Sequence, residues 1–226
     1  EAVTGMGDMC RALETPVTGG NVSFYNENTQ GAVYPTPVIG MVGMLDNIEN
    51  TTSISYKDDG DFIVCLGMIN SRLGGSEYLK IVHNKIEGPI HDFDIETELD
   101  VQKLCLQAID KKLIKSAHDI SDGGLAVNIA ESILFSNEGL GVEINLTRKL
   151  RDDELLFGEC QSVIIVTIEE ENLHKLVSMA NDLNVYTQTI GKVKNNAKLS
   201  INNLIDINRN SLKMAYFNTL QEIMEK

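Results

Sequence analysis

Basic residues are scarce in this chain: 19 lysines and arginines stand against 33 aspartates and glutamates, a formal net charge of −14 over 226 residues. With no run of Lys or Arg to make a local patch, that balance argues against binding to nucleic acid polymers or anionic membranes. Long apolar runs are missing too. No stretch reaches 18 apolar residues although 42% of the chain is apolar, so the sequence reads as soluble and globular, one large domain or two small ones. Cysteine is sparse. Cys10, Cys65, Cys105 and Cys160 lie far apart in apolar surroundings and form no metal-like pair, as expected of buried, reduced thiols in a cytoplasmic protein. No secretory leader pattern follows Glu1, and a start without Met inside a helical pattern is what a piece of a longer polypeptide would show. Short-period repeats and low-complexity segments are also absent.

The most informative stretch is HDISDGGLAVNIAESIL, His118 to Leu134. It reads as a strand end, a tight acidic glycine loop and a helix. Leu125, Ile129 and Ile133 recur four apart with Ala126, Ala130 and Leu134 beside them, the stripe of a helix burying one face. Asp119 and Asp122 flank Ser121 directly before Gly123 and Gly124, so two acids sit at a helix start. Free N–H groups there favour anions while carboxylates on the same loop can hold a hard cation, and magnesium with a phosphate satisfies both. A plainer reading competes: Asp122 or Ser121 caps the helix and the glycines permit close packing. Of four histidines only His118 lies on a motif, and a strand-end histidine is more often structural than catalytic.

Along the chain, Val3 to Leu13 has Met6, Met9, Cys10 and Leu13 at helical spacing and ends before Thr15-Pro16. PVTGGNVSFYNE follows, Pro16 to Glu27, where Gly19-Gly20-Asn21 lets main-chain amides approach a ligand. Tyr34 to Leu45 mixes apolar residues with prolines and glycines and suits a strand near a sheet edge or a crossover better than a helix. A polar turn at Asp46 to Asn50 marks the first boundary, dividing 1–50 from 51–226, before a strand at Ser53 to Lys57. From Asp61 strands alternate with helices: a buried strand at Phe62 to Ile69, a helix capped by Ser76 with Glu77 in its first turn, and a helix at Thr97 to Leu113. After the central loop and helix come strands at Gly141 to Leu146 and Val163 to Ile168, and a helix at Glu170 to Leu183. Two short strands (Thr187 to Val193, Lys198 to Ile201) and a helix at Arg209 to Met224 complete an α/β order throughout.

Five segments in this order, PVTGGNVSFYNE, PTPVIGMVGML, LGGSEYLK, HDISDGGL and LLFGECQS, resemble the phosphoribosylformylglycinamidine synthase family of the aminoimidazole ribonucleotide synthetase-like superfamily. The resemblance spans Pro16 to Ser162 and is compatible with the rest. It implies an α/β (α+β) fold: residues 1–50 as the C-terminal part of a second A-type domain, and 51–226 as a second B-type domain with a mixed sheet and packed helices. It implies an ATP-dependent ligase that converts formylglycinamide ribonucleotide to formylglycinamidine ribonucleotide with glutamine-derived ammonia. ATP phosphorylates the amide oxygen, and ammonia displaces phosphate from the iminophosphate. The implied cofactors are ATP and Mg2+. The implied partners are the N-terminal half of the same polypeptide, a glutaminase subunit or domain, and a small bridging subunit.

By carry-over onto GNVS, Gly20 contacts ATP, Asn21 helps bind magnesium and Ser23 hydrogen-bonds the substrate. In the family's internal duplication HDISDGGL takes the place of a metal-binding loop, with Asp119 the aligned acid. Asp119, Asp122, Gly123 and Gly124 are thus expected at an auxiliary nucleotide site, and no catalytic residue is expected in this stretch of chain. One departure stands out. The family reads FGES-Q-S-R where this chain has Cys160 for the serine and Val163 for the arginine, which favours a structural reading of Glu159 and Gln161. Two alternatives stay open: a non-catalytic nucleotide-binding scaffold half of the same enzyme, or a related ATP-dependent synthetase or kinase.

Overall fold

The computed structural model describes residues 1–34, 36–90, 92–147 and 150–225, which fall into two compact units, Glu1–Ile48 and Glu49–Lys226.

In the first unit, α1 (Ala2–Ala12) half-buries Met6, Met9, Cys10 and Leu13, and the chain leaves it through Glu14 at φ +55°. Cys10 is therefore not buried as its apolar setting had implied. Two two-residue strands, β1 (Glu27–Asn28) and β2 (Gly31–Ala32), pair antiparallel. The strand expected over Tyr34 to Leu45 does not form among the described residues, Pro35 lying outside them. A strand needs a neighbour for its ladder, and β1 and β2 pair only with each other. Val38, Val42 and Met44 consequently stand almost fully exposed.

The second unit runs β3 (Phe62–Leu66), α2 (Glu77–His83), α3 (Ile95–Asp110), β4 (Ile114–Asp119), α4 (Gly124–Leu134), β5 (Gly141–Ile144), α5 (Asp152–Phe157) and β6 (Ile164–Ile168). A 3-10 turn at Glu170–Asn172 leads into α6 (Leu173–Asp182), then β7 (Thr187–Lys194), β8 (Lys198–Ile201), β9 (Ile205–Asn208), α7 (Arg209–Phe217) and α8 (Thr219–Met224). The seven strands form one mixed sheet in the order β4-β6-β3-β7-β5-β8-β9, in which only β5 and β8 pair parallel. Residues alternate between its faces. Ile63 and Cys65 of β3 join Ile165 of β6 under Leu125, Ile129 and Ile133 of α4, while Val64 and Leu66 join Val166 and Ile168 under Leu104 and Ala108 of α3 and Leu176 of α6. Both faces of the two central strands are covered, which is why FIVCL and IIVTI read as unbroken apolar runs.

Capping explains the helix limits. Ser76 Oγ accepts Leu79 N–H (3.3 Å), and Asp94 Oδ1 accepts Thr97 N–H (2.7 Å), which starts α3 two residues before the expected Thr97. The helix ends at Asp110 because the turn places Lys112 at φ +53°. Ser53 to Lys57 is not a strand. Ser53 makes only an isolated bridge to Ser116, and the Ser53 and Ser55 hydroxyls and the Lys57 ammonium bond one another instead. β9 was not expected, and the C-terminal helix is broken at Asn218. No helix of the described residues is long and apolar enough to cross a membrane.

Candidate functional site

Among the strands of the sheet, β4 lies at the edge beside β6 and ends at Asp119, opposite Ile164. Ile120 then turns into the core, its N–H donating to Val163 O (3.0 Å), which leaves Asp119, Ser121 and Asp122 exposed on the loop. Gly123 (φ +82°) is the N-cap of α4 and brings no capping side chain of its own. The expected capping by Asp122 or Ser121 is thus absent, since a left-handed cap position turns both side chains' backbone away from the usual Ncap geometry. Gly124 (φ +74°) is required for a different reason. A Cβ there would lie 2.7 Å from Gly158 O, so the α4 start rests directly on the backbone after α5.

Side chains behind the loop hold it from the inside. Asn128, in the first turns of α4, donates through Nδ2 to Asp119 O (2.7 Å) and His118 O (3.2 Å); both partners being acceptors fixes which end of the amide is nitrogen. Its Oδ1 is buried without a hydrogen-bond partner. His118 lies with Nδ1 3.2 Å from Ser132 Oγ and Nε2 3.5 Å from Glu131 Oε2. Serine, histidine and glutamate in a row suggest hydrolase chemistry, but Ser132 is fully buried and no substrate reaches it. The structural reading of His118 is the one this geometry supports.

The capping role belongs to a residue the sequence did not single out for it. Glu159 Oε1 accepts both Gly123 N–H (3.0 Å) and Glu77 N–H (2.9 Å), joining the starts of α4 and α2 through one oxygen. Its own N–H donates to Arg72 O (3.1 Å), and the preceding Gly158 has no room for a Cβ, which would sit 2.4 Å from Glu154 O. Three of the segments singled out in the sequence, LGGSE, SDGG and FGEC, are tied together at this carboxylate. Val163, by contrast, is packed in the core with Ile120 and Leu125, where a guanidinium would be buried. Gln161 is exposed.

Gly20, Asn21 and Ser23 lie in the first unit on an exposed irregular segment between α1 and β1. Nothing lies within 4 Å of where a Cβ on Gly20 would point, and Ser23 O accepts Asn26 Nδ2 (3.0 Å). The loop of Asp119, Asp122, Gly123 and Gly124 belongs to the second unit. Among the described residues no three His, Cys, Asp or Glu side chains converge as a metal cage. Burial pushes the Cys105 thiol up to about 11 and the Cys160 thiol up to about 12, which disfavours the thiolate at both.

The family model for AIR synthase related protein, C-terminal domain, matches residues 58–202. The phosphoribosylformylglycinamidine synthase subunit PurL of Moorella thermoacetica is 44% identical over 192 residues, which is 85% of this chain and 26% of that protein. The PurL subunit of Alkaliphilus metalliredigens is 38% identical over 228 residues, all of this chain and 31% of that one. The chain therefore spans less than a third of the length of these relatives. Among solved structures, T. maritima PurL complexed with FGAR superposes with a TM-score of 0.63 at 15% identity, covering 73% of this chain and 30% of that chain. The same protein complexed with ATP gives 0.57 at 16% identity, covering 73% and 27%. At those identities the likeness is one of fold.

Proposed function

The chain belongs to the AIR synthase related protein family, whose C-terminal domain it carries over residues 58–202, and from that premise we propose that it is a segment of the synthetase of phosphoribosylformylglycinamidine synthase. That enzyme is an ATP-dependent C–N ligase of purine biosynthesis, acting on formylglycinamide ribonucleotide with ammonia released from glutamine. The observation that carries the reading is sequence identity to PurL subunits running through the whole chain, including the first unit. In this reading residues 1–50 complete an A-type domain and 51–226 make a B-type domain.

ATP, when bound, supplies the phosphoryl group that turns the substrate's amide oxygen into a leaving group. This chain's part is positioning: Gly20 admits phosphate oxygens to main-chain amides, Asn21 offers a neutral oxygen to magnesium without repelling phosphate, and the Ser23 hydroxyl bonds the substrate. Asp119, Asp122, Gly123 and Gly124 form an auxiliary nucleotide site. The remaining half of the polypeptide, a glutaminase subunit or domain and a small bridging subunit are the partners, in the cytoplasm. The scaffold alternative draws on one observation, the lack of a converging acidic or histidine cluster among the described residues.

Two measurements test this. The 226-residue chain alone should be inactive and self-associate through the apolar stretch from Val38 to Leu45. Supplied in trans with the upstream portion of the A. metalliredigens relative, it should give a soluble complex that makes formylglycinamidine ribonucleotide from free ammonia and ATP. A monodisperse monomer that turns over ATP with substrate unaided would show that the catalytic groups are misassigned. In the active complex Asn21→Ala should lower turnover by about tenfold, the scale of a lost metal-positioning contact, and raise the magnesium concentration needed. An unchanged magnesium dependence would remove Asn21 from the metal.

A further inference from the structure

The loop at the start of α4 already holds an anion, and that anion is part of the chain. Glu159 Oε1 accepts the Gly123 N–H at 3.0 Å and the Glu77 N–H at 2.9 Å. Gly123 is the N-cap of an eleven-residue helix and has no capping side chain of its own. An oxygen held by two converging main-chain N–H groups at a helix start is the geometry a phosphoryl oxygen takes at such a site. The second amide at the loop is also spent, Gly124 N–H donating to Ser121 O (3.1 Å).

We infer that Glu159 is a built-in competitor of the loop from Asp119 to Gly124: its carboxylate fills the position of a phosphoryl oxygen, and a nucleotide or phosphate binds there only by displacing it. This rests on the proposed auxiliary site and adds the regulation of that site.

Three observations support the inference. Glu159 is only half-buried, so its carboxylate has somewhere to go when displaced. The peptide that carries it is held independently of the side chain, by Glu159 N–H to Arg72 O (3.1 Å) and by the tight seat of Gly158 against Glu154 O, so the side chain can leave without unfolding the turn. The loop keeps a support that does not involve Glu159, namely Asn128 Nδ2 on Asp119 O. Charge works in the same direction. With Asp119 and Asp122 exposed beside it, a seated Glu159 is a third carboxylate around the loop, and its departure lowers the repulsion an incoming phosphate meets.

The sign of the effect separates competition from mere structural support. A residue that only shapes the loop weakens ligand binding when it is removed, whereas a competitor strengthens it. Mg-ADP and inorganic phosphate are to be titrated calorimetrically into the reconstituted complex made with the parent chain or with its Glu159→Ala and Glu159→Gln forms, binding that Asp119→Asn removes being assigned to the loop, with unliganded melting as the folding control. Glu159→Ala should bind Mg-ADP about tenfold more tightly than the parent, the worth of one charge-assisted hydrogen bond no longer displaced. Glu159→Gln, which keeps an oxygen for the amides but no charge, should fall between them, and it carries the test should the alanine form not fold. Equal or weaker binding by both variants, with the parent binding measurably, overturns the competition and leaves the auxiliary site standing. If neither the parent nor a folded variant binds Mg-ADP or phosphate, the auxiliary site itself is wrong and the competition falls with it.

Discussion

Arg209→Met should lose about 3 kcal/mol of stability, seen as a urea midpoint lowered at unchanged slope and a Tm lower by about 6 to 12 °C. Arg209 opens α7 and is only 8% exposed. Its guanidinium donates to the carbonyls of Leu134 (3.1 Å), Ser136, Asn137 and Leu140 (3.5 Å). These lie at and just past the end of α4, where carbonyls have no intrahelical partner and carry the negative end of the helix dipole. Burial pulls the pKa of Arg209 down, and the ring of carbonyls is what makes the buried cation tolerable. Methionine keeps much of the stem's volume but takes the donor from the buried carbonyls of Leu134 and Leu140 and from that of Ser136, while Asn137 O keeps the Leu140 N–H (3.0 Å). Arg209→Lys should recover only part of the loss, because a single ammonium cannot reach the separate carbonyls that the planar fork does. A methionine form within about 0.5 kcal/mol of the parent, the range of ordinary surface changes, would show that the carbonyls are satisfied without it.

Arg209 also marks where sequence reading reaches its limit. The fold of the second unit was legible because its signals are local: the apolar runs of β3 and β6, the four-residue spacing of Leu125, Ile129 and Ile133, and the Ser76 cap each depend on neighbours along the chain. What was missed depends on distant partners. Nothing near Arg209 in sequence says that it will end another helix some seventy residues away. Glu159 likewise sits in an acidic turn and looks solvated until the fold sets it against Gly123 and Glu77. The false strand at Ser53 to Lys57 failed because serine hydroxyls found side-chain partners that a residue pattern does not display. For the loop itself, the acids and glycines could be read as a site or as a cap, and the decisive feature, a carboxylate from elsewhere doing the capping, is tertiary. One signal was available. Asn128 and Ser132 interrupt the buried side of α4 four residues apart, and polar residues there are expected to hold something; they hold the end of β4 and His118.

A second interior charge sits on that same strand, and replacing Lys115 by methionine should cost about 3 kcal/mol near neutral pH, with a loss that shrinks as the solution is acidified. Lys115 Nζ meets Asp58 Oδ2 (2.7 Å), Glu169 Oε1 (2.8 Å) and Asp61 Oδ1 (2.9 Å). Asp58 and Glu169 are well exposed and can return to water, but Asp61 is only 4% exposed and its Oδ2 has no hydrogen-bond partner. Burial would by itself pull the Lys115 ammonium down, yet the hydrogen bonds of the three carboxylates override it and hold it above the ordinary lysine value. Its stabilisation is therefore complete below the unfolded lysine pKa and is lost as pH rises through the higher folded one. For Asp61 desolvation comes first, and its pKa is raised in spite of Lys115, so folding pays for its ionised form as pH rises through that raised value. Removing Lys115 takes away the hydrogen bond and charge that oppose the shift. The Asp61 pKa then rises further, and the variant's deficit should diminish as the solution is acidified from neutral pH and that carboxyl takes up its proton. Asp61→Asn in the Lys115→Met background should restore most of the loss near neutral pH, since the orphaned charge is gone, and the coupling in a double-mutant cycle should be well above the scatter of independent sites. A deficit under about 1 kcal/mol, the scale of an exposed ion pair, or one that stays constant on acidification would mean that Asp61 finds water once Lys115 is gone.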